Sequence, residues 1–181
     1  NRSELDSYLL DDHSGLAEFS KLKGELTHYA LRKNLSRDSL PAFIEKWLKN
    51  NFSDEIPESL NESLLTDLLL FYESNEFKFI NSFPNYKNEY EAYLKEGDYF
   101  LFGILDKLII DEKKIIIVDY KTDSIKETEL KSRAEKYLPQ LKFYAYIISR
   151  LFIKKHEIEG RISFIKYPEK PFVFKYDDIS D

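Results

Sequence analysis

Tyr99-Phe100-Leu101-Phe102-Gly103-Ile104-Leu105-Asp106-Lys107-Leu108-Ile109-Ile110, a polar Asp111-Glu112-Lys113-Lys114, and then Ile115-Ile116-Ile117-Val118-Asp119-Tyr120-Lys121 form the stretch whose reading decides the fold. Both outer segments are apolar and rich in β-branched residues, and the middle four are turn-like, so the spacing predicts a hairpin of two strands. Each arm carries an acid, Asp106 on one and Asp119 on the other. Side chains alternate across a strand, so Asp119 and Lys121 leave the same face and can meet one substrate atom. A carboxylate on a buried strand is costly unless compensated, and a divalent cation with oxygen ligands is a common compensation for a pair of them.

Working outward, the chain divides into a helical front and an α/β back. Leu16, Phe19, Leu22, Leu26, Tyr29 and Ala30 recur at helical spacing and predict one amphipathic helix over 14–33, with His28 riding on it. Ser39 and Pro41 open a second helix with a Phe43, Ile44, Trp47, Leu48 stripe. Ser59-Leu60-Asn61-Glu62 reads as a capping box ahead of Leu64, Leu65, Leu68, Leu69 and Tyr72. Residues 74–88, with Pro84 and several Asn, read as a loop. Beyond the hairpin, 126–136 reads as a helix, with Asp123 capping the segment ahead of it, and Pro139 as the start of another helix running to Phe152. Strands follow at 160–167 and 172–176. Gln140 and Tyr144 are four apart and share a helical face, while Tyr137, Leu141, Ala145, Ile148 and Phe152 form a separate, core-facing stripe.

Four of these elements carry a resemblance. Gly24-x-x-x-His28-x-x-Leu31, Gly103-x-x-Asp106, Asp119-Tyr120-Lys121-Thr122-Asp123 and Gln140-Leu141-x-x-Tyr144-Ala145 occur in that order. Together they resemble the nuclease domain of the RecB and AddA helicase-nucleases, a branch of the PD-(D/E)XK superfamily, and the Asp119–Asp123 run looks closest to the AddA branch. The resemblance implies an α/β fold with a mixed central sheet flanked by helices and an N-terminal helical part. It implies one nuclease domain over 1–181, with 1–88 mainly helical and 89–181 forming the catalytic core. By the same resemblance, His28, Asp106, Asp119 and the Tyr120 carbonyl would hold Mg²⁺ or Mn²⁺. Lys121, Gln140 and Tyr144 would join them in catalysis, and either Glu89 or Glu91 would supply a further acid from the preceding strand. The implied activity is metal-dependent exonucleolytic hydrolysis of single-stranded DNA fed by a helicase, beside an AddB-type partner, in double-strand break repair and recombination. Hydrolysis of a phosphodiester needs a cation that steadies developing charge and lowers the pKa of bound water, which hard carboxylate oxygens suit. A stand-alone nuclease of the same superfamily, or a non-catalytic module that only binds DNA or a partner, are the alternatives. An acid pair that repels phosphate has no use in the latter.

Composition narrows the field further. The 181 residues are 43% hydrophobic and 15% aromatic, enough for a sizeable core. Without cysteine there is no disulfide, no thiolate nucleophile, no cysteine-bound zinc and no iron–sulfur cluster of the kind AddB-type relatives carry. No Gly-x-x-x-x-Gly-Lys-Ser/Thr loop is present, so ATP hydrolysis is not expected of this segment. The absence of methionine is what a segment cut from a longer chain would show. Without an apolar run of membrane-spanning length or a leader pattern, the expected location is the cytoplasm. The net charge of −6 is unevenly spread: residues 121–155 hold nine basic and four acidic side chains, a local +5. Within it, Lys126, Lys131, Arg133 and Lys136 are candidates for phosphate contact, although a solvated helical face would look the same.

Overall fold

The computed structural model describes residues 13–51, 58–152 and 157–176. A helical part comes first: α1 (His13–Arg32), α2 (Leu40–Asn51), α3 (Glu58–Glu73) and α4 (Asn75–Asn81). A five-stranded mixed sheet follows, built from β1 (Tyr86–Glu96), β2 (Tyr99–Ile110), β3 (Lys114–Lys121), β4 (Glu157–Phe164) and β5 (Phe172–Tyr176). Its strands lie in sequence order, all neighbours antiparallel except β3 and β4. That one parallel pair requires a crossover, and α5 (Leu130–Leu151) provides it.

Each face of the sheet is covered by a different helical layer. Ile116, Val118 and Tyr120 of β3 pack with Leu26, Ala30, Ile44, Leu68 and Phe71 of α1 to α3. Ile115 and Ile117, one residue out of phase, pack with Ala134, Leu141, Ala145 and Ile148 of α5. The unbroken run from Ile115 to Tyr120 is therefore a strand buried on both faces.

Three expectations about elements change. The segment 74–88 is not a loop: Ser74 caps α4 by accepting from the Phe77 N–H, and β1 begins at Tyr86. The several Asn and Pro84 mask a short helix whose apolar residues, Phe77, Phe79 and Ile80, are too few to show a period. Residues 126–136 and 139–152 are not two helices but one, because Pro139 sits inside α5. Proline forfeits one backbone hydrogen bond there, and the packing of Leu141, Ala145 and Ile148 holds the helix across the gap. Ser59 lies within α3, which begins at Glu58, so it is not the cap.

At one point the sheet changes phase. The β1–β2 register runs from Asn88↔Lys107 to Tyr90↔Leu105, leaving Glu89 and Asp106 facing each other outside the pairing. Glu89 has φ +50°, left-handed for a residue that gains nothing from it, a cost of about 1–3 kcal/mol. On one side of this step Tyr86 and Ile109 face the α1–α4 layer, and on the other Tyr90 and Leu105 face α5. Lys107 is buried behind the step, donating to Asn81 Oδ1 at 2.7 Å.

Candidate active site

β2 and β3 separate where the acids stand. Their registered pairs run from Ile110↔Ile115 to Lys107↔Val118. Two residues further along β3, the Tyr120 N–H donates to Oδ2 of Asp106 at 2.7 Å, so a side chain has taken the place of the strand ladder. The other oxygen, Oδ1, is 3.2 Å from Nδ1 of His28. His28 projects from α1 one turn after Gly24, and the end of that helix is fixed to the sheet by Asn88. The Asn88 Nδ2 donates to the Arg32 carbonyl at 2.9 Å and to Asn34 Oδ1 at 3.2 Å. Asn88 thus ties the helix bearing His28 to the strand bearing Glu89, and no pattern in the sequence singled it out.

Asp119 is buried, 5% exposed. Lys121 Nζ stands 2.8 Å from its Oδ2, yet that oxygen receives no well-aligned hydrogen bond, so it is charge-paired without being satisfied. The ammonium also lies 4.3 Å from the centre of the Tyr137 ring. Tyr137 is itself anchored, donating from its hydroxyl to Asp123 Oδ1 at 2.8 Å, and Arg133 Nε lies 3.4 Å from the same oxygen. Asp123, expected to cap the following segment, instead closes this ring of contacts.

Electrostatics follow from the geometry. Burial pushes the Asp119 carboxyl up, and nearby Asp106 adds to the shift, while Lys121 and His28 oppose it without cancelling it. Burial works against a charged His28, but the hydrogen bond to Asp106 and the charges of Asp106 and Asp119 outweigh it, so its pKa is raised. The charges of His28 and Asp119 therefore each bear on the other's protonation.

Tyr144 and Gln140 complete one wall. Gln140 Nε2 donates to the Tyr144 hydroxyl oxygen at 2.7 Å. The Tyr144 ring lies flat against Gly103: a Cβ there would come within 2.7 Å of Cε1. That contact accounts for glycine three residues before Asp106, since a larger residue would displace Tyr144. Burial raises the Tyr144 pKa, with both Asp119 and Asp106 near enough to add to the shift.

Of the two β1 acids the sequence offered, Glu89 lies with His28 and Asp106, and Glu91 is held elsewhere. Ligand atoms of His28, Glu89 and Asp106 all lie within 4.8 Å of one another. Glu91 instead accepts from the Tyr93 hydroxyl at 2.8 Å. The backbone of Glu89 is left-handed at this point, a feature of conformation that sequence does not display. An imidazole nitrogen, convergent carboxylates and an unsatisfied buried oxygen on Asp119 make a donor set that fits a divalent cation. In the basic segment, Lys126, Lys131 and Lys136 are exposed, whereas Arg133 is half-buried and paired with Asp123.

A mixed sheet with acids at a strand separation, a lysine two residues after the second acid and helices on both faces defines a metal-dependent nuclease fold, and this chain belongs to the PD-(D/E)XK nuclease superfamily, whose family profile matches residues 7–176. More particularly, it is 26% identical over 133 residues to one subunit of the ATP-dependent helicase/nuclease of Clostridioides difficile. That match covers 73% of this chain but only 10% of the relative, so the chain spans a small part of that protein's length. Among solved structures, a candidate exonuclease from Eubacterium rectale superposes with a TM-score of 0.53 at 11% identity, covering 88% of this chain and 59% of that one, a likeness of fold. No helix among the described residues is long and apolar enough to cross a membrane.

Proposed function

We propose that this chain is the nuclease module of an AddA-type helicase-nuclease and degrades single-stranded DNA from an end, using Mg²⁺ or Mn²⁺. The observation that carries the reading is the convergence of His28 from α1, Asp106 from β2, and Asp119 and Lys121 from β3, with Nδ1 of His28 only 3.2 Å from Asp106. His28, Glu89, Asp106, Asp119 and the Tyr120 carbonyl would hold the cation. When bound, it would supply charge stabilisation for the phosphoryl oxygens and a water of lowered pKa. The chain's own groups do the rest. Lys121 is placed to neutralise a phosphate oxygen or orient the attacking water. Gln140, by donating to the Tyr144 oxygen, leaves the phenolic hydrogen free to contact DNA. Lys126, Lys131 and Lys136 would meet phosphates by charge alone. The likeness to the helicase/nuclease relative supports a setting in which a motor in the same longer chain feeds the strand, an AddB-type partner works alongside, and the product serves break repair and recombination.

Linear and circular single strands of equal length, each offered with Mg²⁺, Mn²⁺ or a chelator, test this. Loss of the linear strand with either metal, with the circle surviving, is the expected result. Cutting of the circle would replace the exonuclease reading with an endonuclease, and inertness toward both with both metals would sink the nuclease reading.

A further inference from the structure

Five of the nine large hydrophobic side chains that stand exposed among the described residues lie in one hairpin: Tyr93, Tyr99, Phe100, Phe102 and Ile104. An exposed apolar cluster of this kind on a two-stranded ribbon is a binding surface. Its arrangement is regular. Phe100, Phe102 and Ile104 alternate along β2 and are 80%, 46% and 42% exposed, while Leu101, Gly103 and Leu105 between them turn the other way and are more buried. Asp106 is the next residue of that alternation. On β1, Tyr93 is registered against Phe102, and their rings sit 4.6 Å apart at 31°; Lys95 is registered against Phe100, with its ammonium 5.7 Å from the ring centre.

We propose that this row, Ile104, Phe102 with Tyr93, and Phe100 with Lys95, is a stacking track for the unpaired bases of the DNA strand whose end lies at Asp106. The proposal rests on the nuclease reading and deepens it by naming what holds the strand away from the cut. Three observations favour a nucleic-acid strand over a protein as the occupant. The row is one or two rings wide, and its platforms recur every other residue, about 6.6 Å apart, a spacing suited to successive bases rather than to a flat protein patch. Along β2 it leads to the acidic cluster of Asp106 and Glu89, with Glu91, registered against Ile104 and accepting from the Tyr93 hydroxyl, beside its inner end, so a strand lying on it is delivered to the site. Its one cation, Lys95, stands against the outermost ring, where a phosphate would follow a base stacked on Phe100. From Asp106 to Phe100 is six residues of strand, about 20 Å, so the track reaches several nucleotides upstream of the scissile bond. Base stacking is tolerant of sequence, which matches a degradative enzyme.

The test is oligonucleotide binding by the wild type and by Phe100→Leu, Phe102→Leu and the double variant, in Ca²⁺ and at several salt concentrations. Leucine keeps the apolar surface and removes the ring, and both sites are exposed enough that folding is not at stake. Stacking by one ring corresponds to roughly 5- to 150-fold in affinity, so each variant is expected to lose binding within that range with an unchanged salt slope, because no phosphate contact has been removed. A 2-aminopurine placed three nucleotides from the end should be quenched by the wild type and less so by Phe100→Leu. Unchanged affinity and unchanged quenching would overturn the track and mark the hairpin as a protein contact. Cleavage of linear single strands by the wild type, measured alongside, separates the two readings: if it proceeds while the ring variants bind normally, only the track fails.

Discussion

Replacing Asp119 by Asn isolates what the buried acid costs the fold when no cation is bound. In the folded protein its pKa rises from the ordinary 3.8 to about 6, with burial the leading cause. For a raised carboxyl the sign is fixed: its contribution to stability is fully present below pH 3.8 and is lost as pH climbs through about 6, where the folded protein must ionise a group the unfolded chain ionises readily. Two pKa units correspond to about 3 kcal/mol, the most that metal-free wild type forfeits by pH 8. The attraction of Lys121 is already contained in that net shift. Asparagine keeps the shape and mimics the protonated form. The variant should therefore match the wild type near pH 4 and exceed it by up to about 3 kcal/mol at pH 8, or roughly 6–12 °C in Tm for a domain of this size. Urea unfolding followed by Trp47 fluorescence, in chelator, at pH values from 4 to 8 measures the difference, and effects common to both proteins cancel. Saturating Mn²⁺ should reverse the order by stabilising only the wild type. A gap that stays constant with pH, or a variant less stable at pH 8 than the wild type, would refute the reasoning. DNA cleavage by the variant should be lost under all these conditions.

His28→Ala should weaken Mn²⁺ affinity in calorimetric titration and reduce cleavage, with Mn²⁺ restoring activity better than Ca²⁺; unchanged affinity would return the histidine to a packing role. Changing Lys126, Lys131, Arg133 and Lys136 to Gln should lower single-strand affinity and flatten its dependence on salt by roughly 0.7 per lost phosphate contact, read from binding at several ionic strengths in Ca²⁺. Because Arg133 is engaged with Asp123, the three lysines alone should account for most of the change.

What the sequence by itself determined is whatever follows from local periodicity and spacing. The hairpin was legible because Tyr99–Ile110 and Lys114–Lys121 are long apolar runs around a polar turn, and burial of both faces leaves no ambiguity of type. The helix bearing His28 was legible from its stripe, with Leu26 and Ala30 fully buried as the spacing requires. The pairing of Lys121 with Asp119 follows from alternation alone. Tertiary structure decided the rest, because the remaining features are relations between distant segments. Whether Pro139 starts a helix or lies inside one depends on the packing of its neighbours against the sheet, which offsets the lost hydrogen bond. The selection of Glu89 over Glu91 depends on one unpaired position in the β1–β2 ladder and on one left-handed backbone angle, neither of which leaves a mark in composition. The row of exposed rings on the hairpin reads, in sequence, as ordinary strand hydrophobicity. Only the end of β3, which leaves that part of β2 paired with β1 alone, turns it into surface.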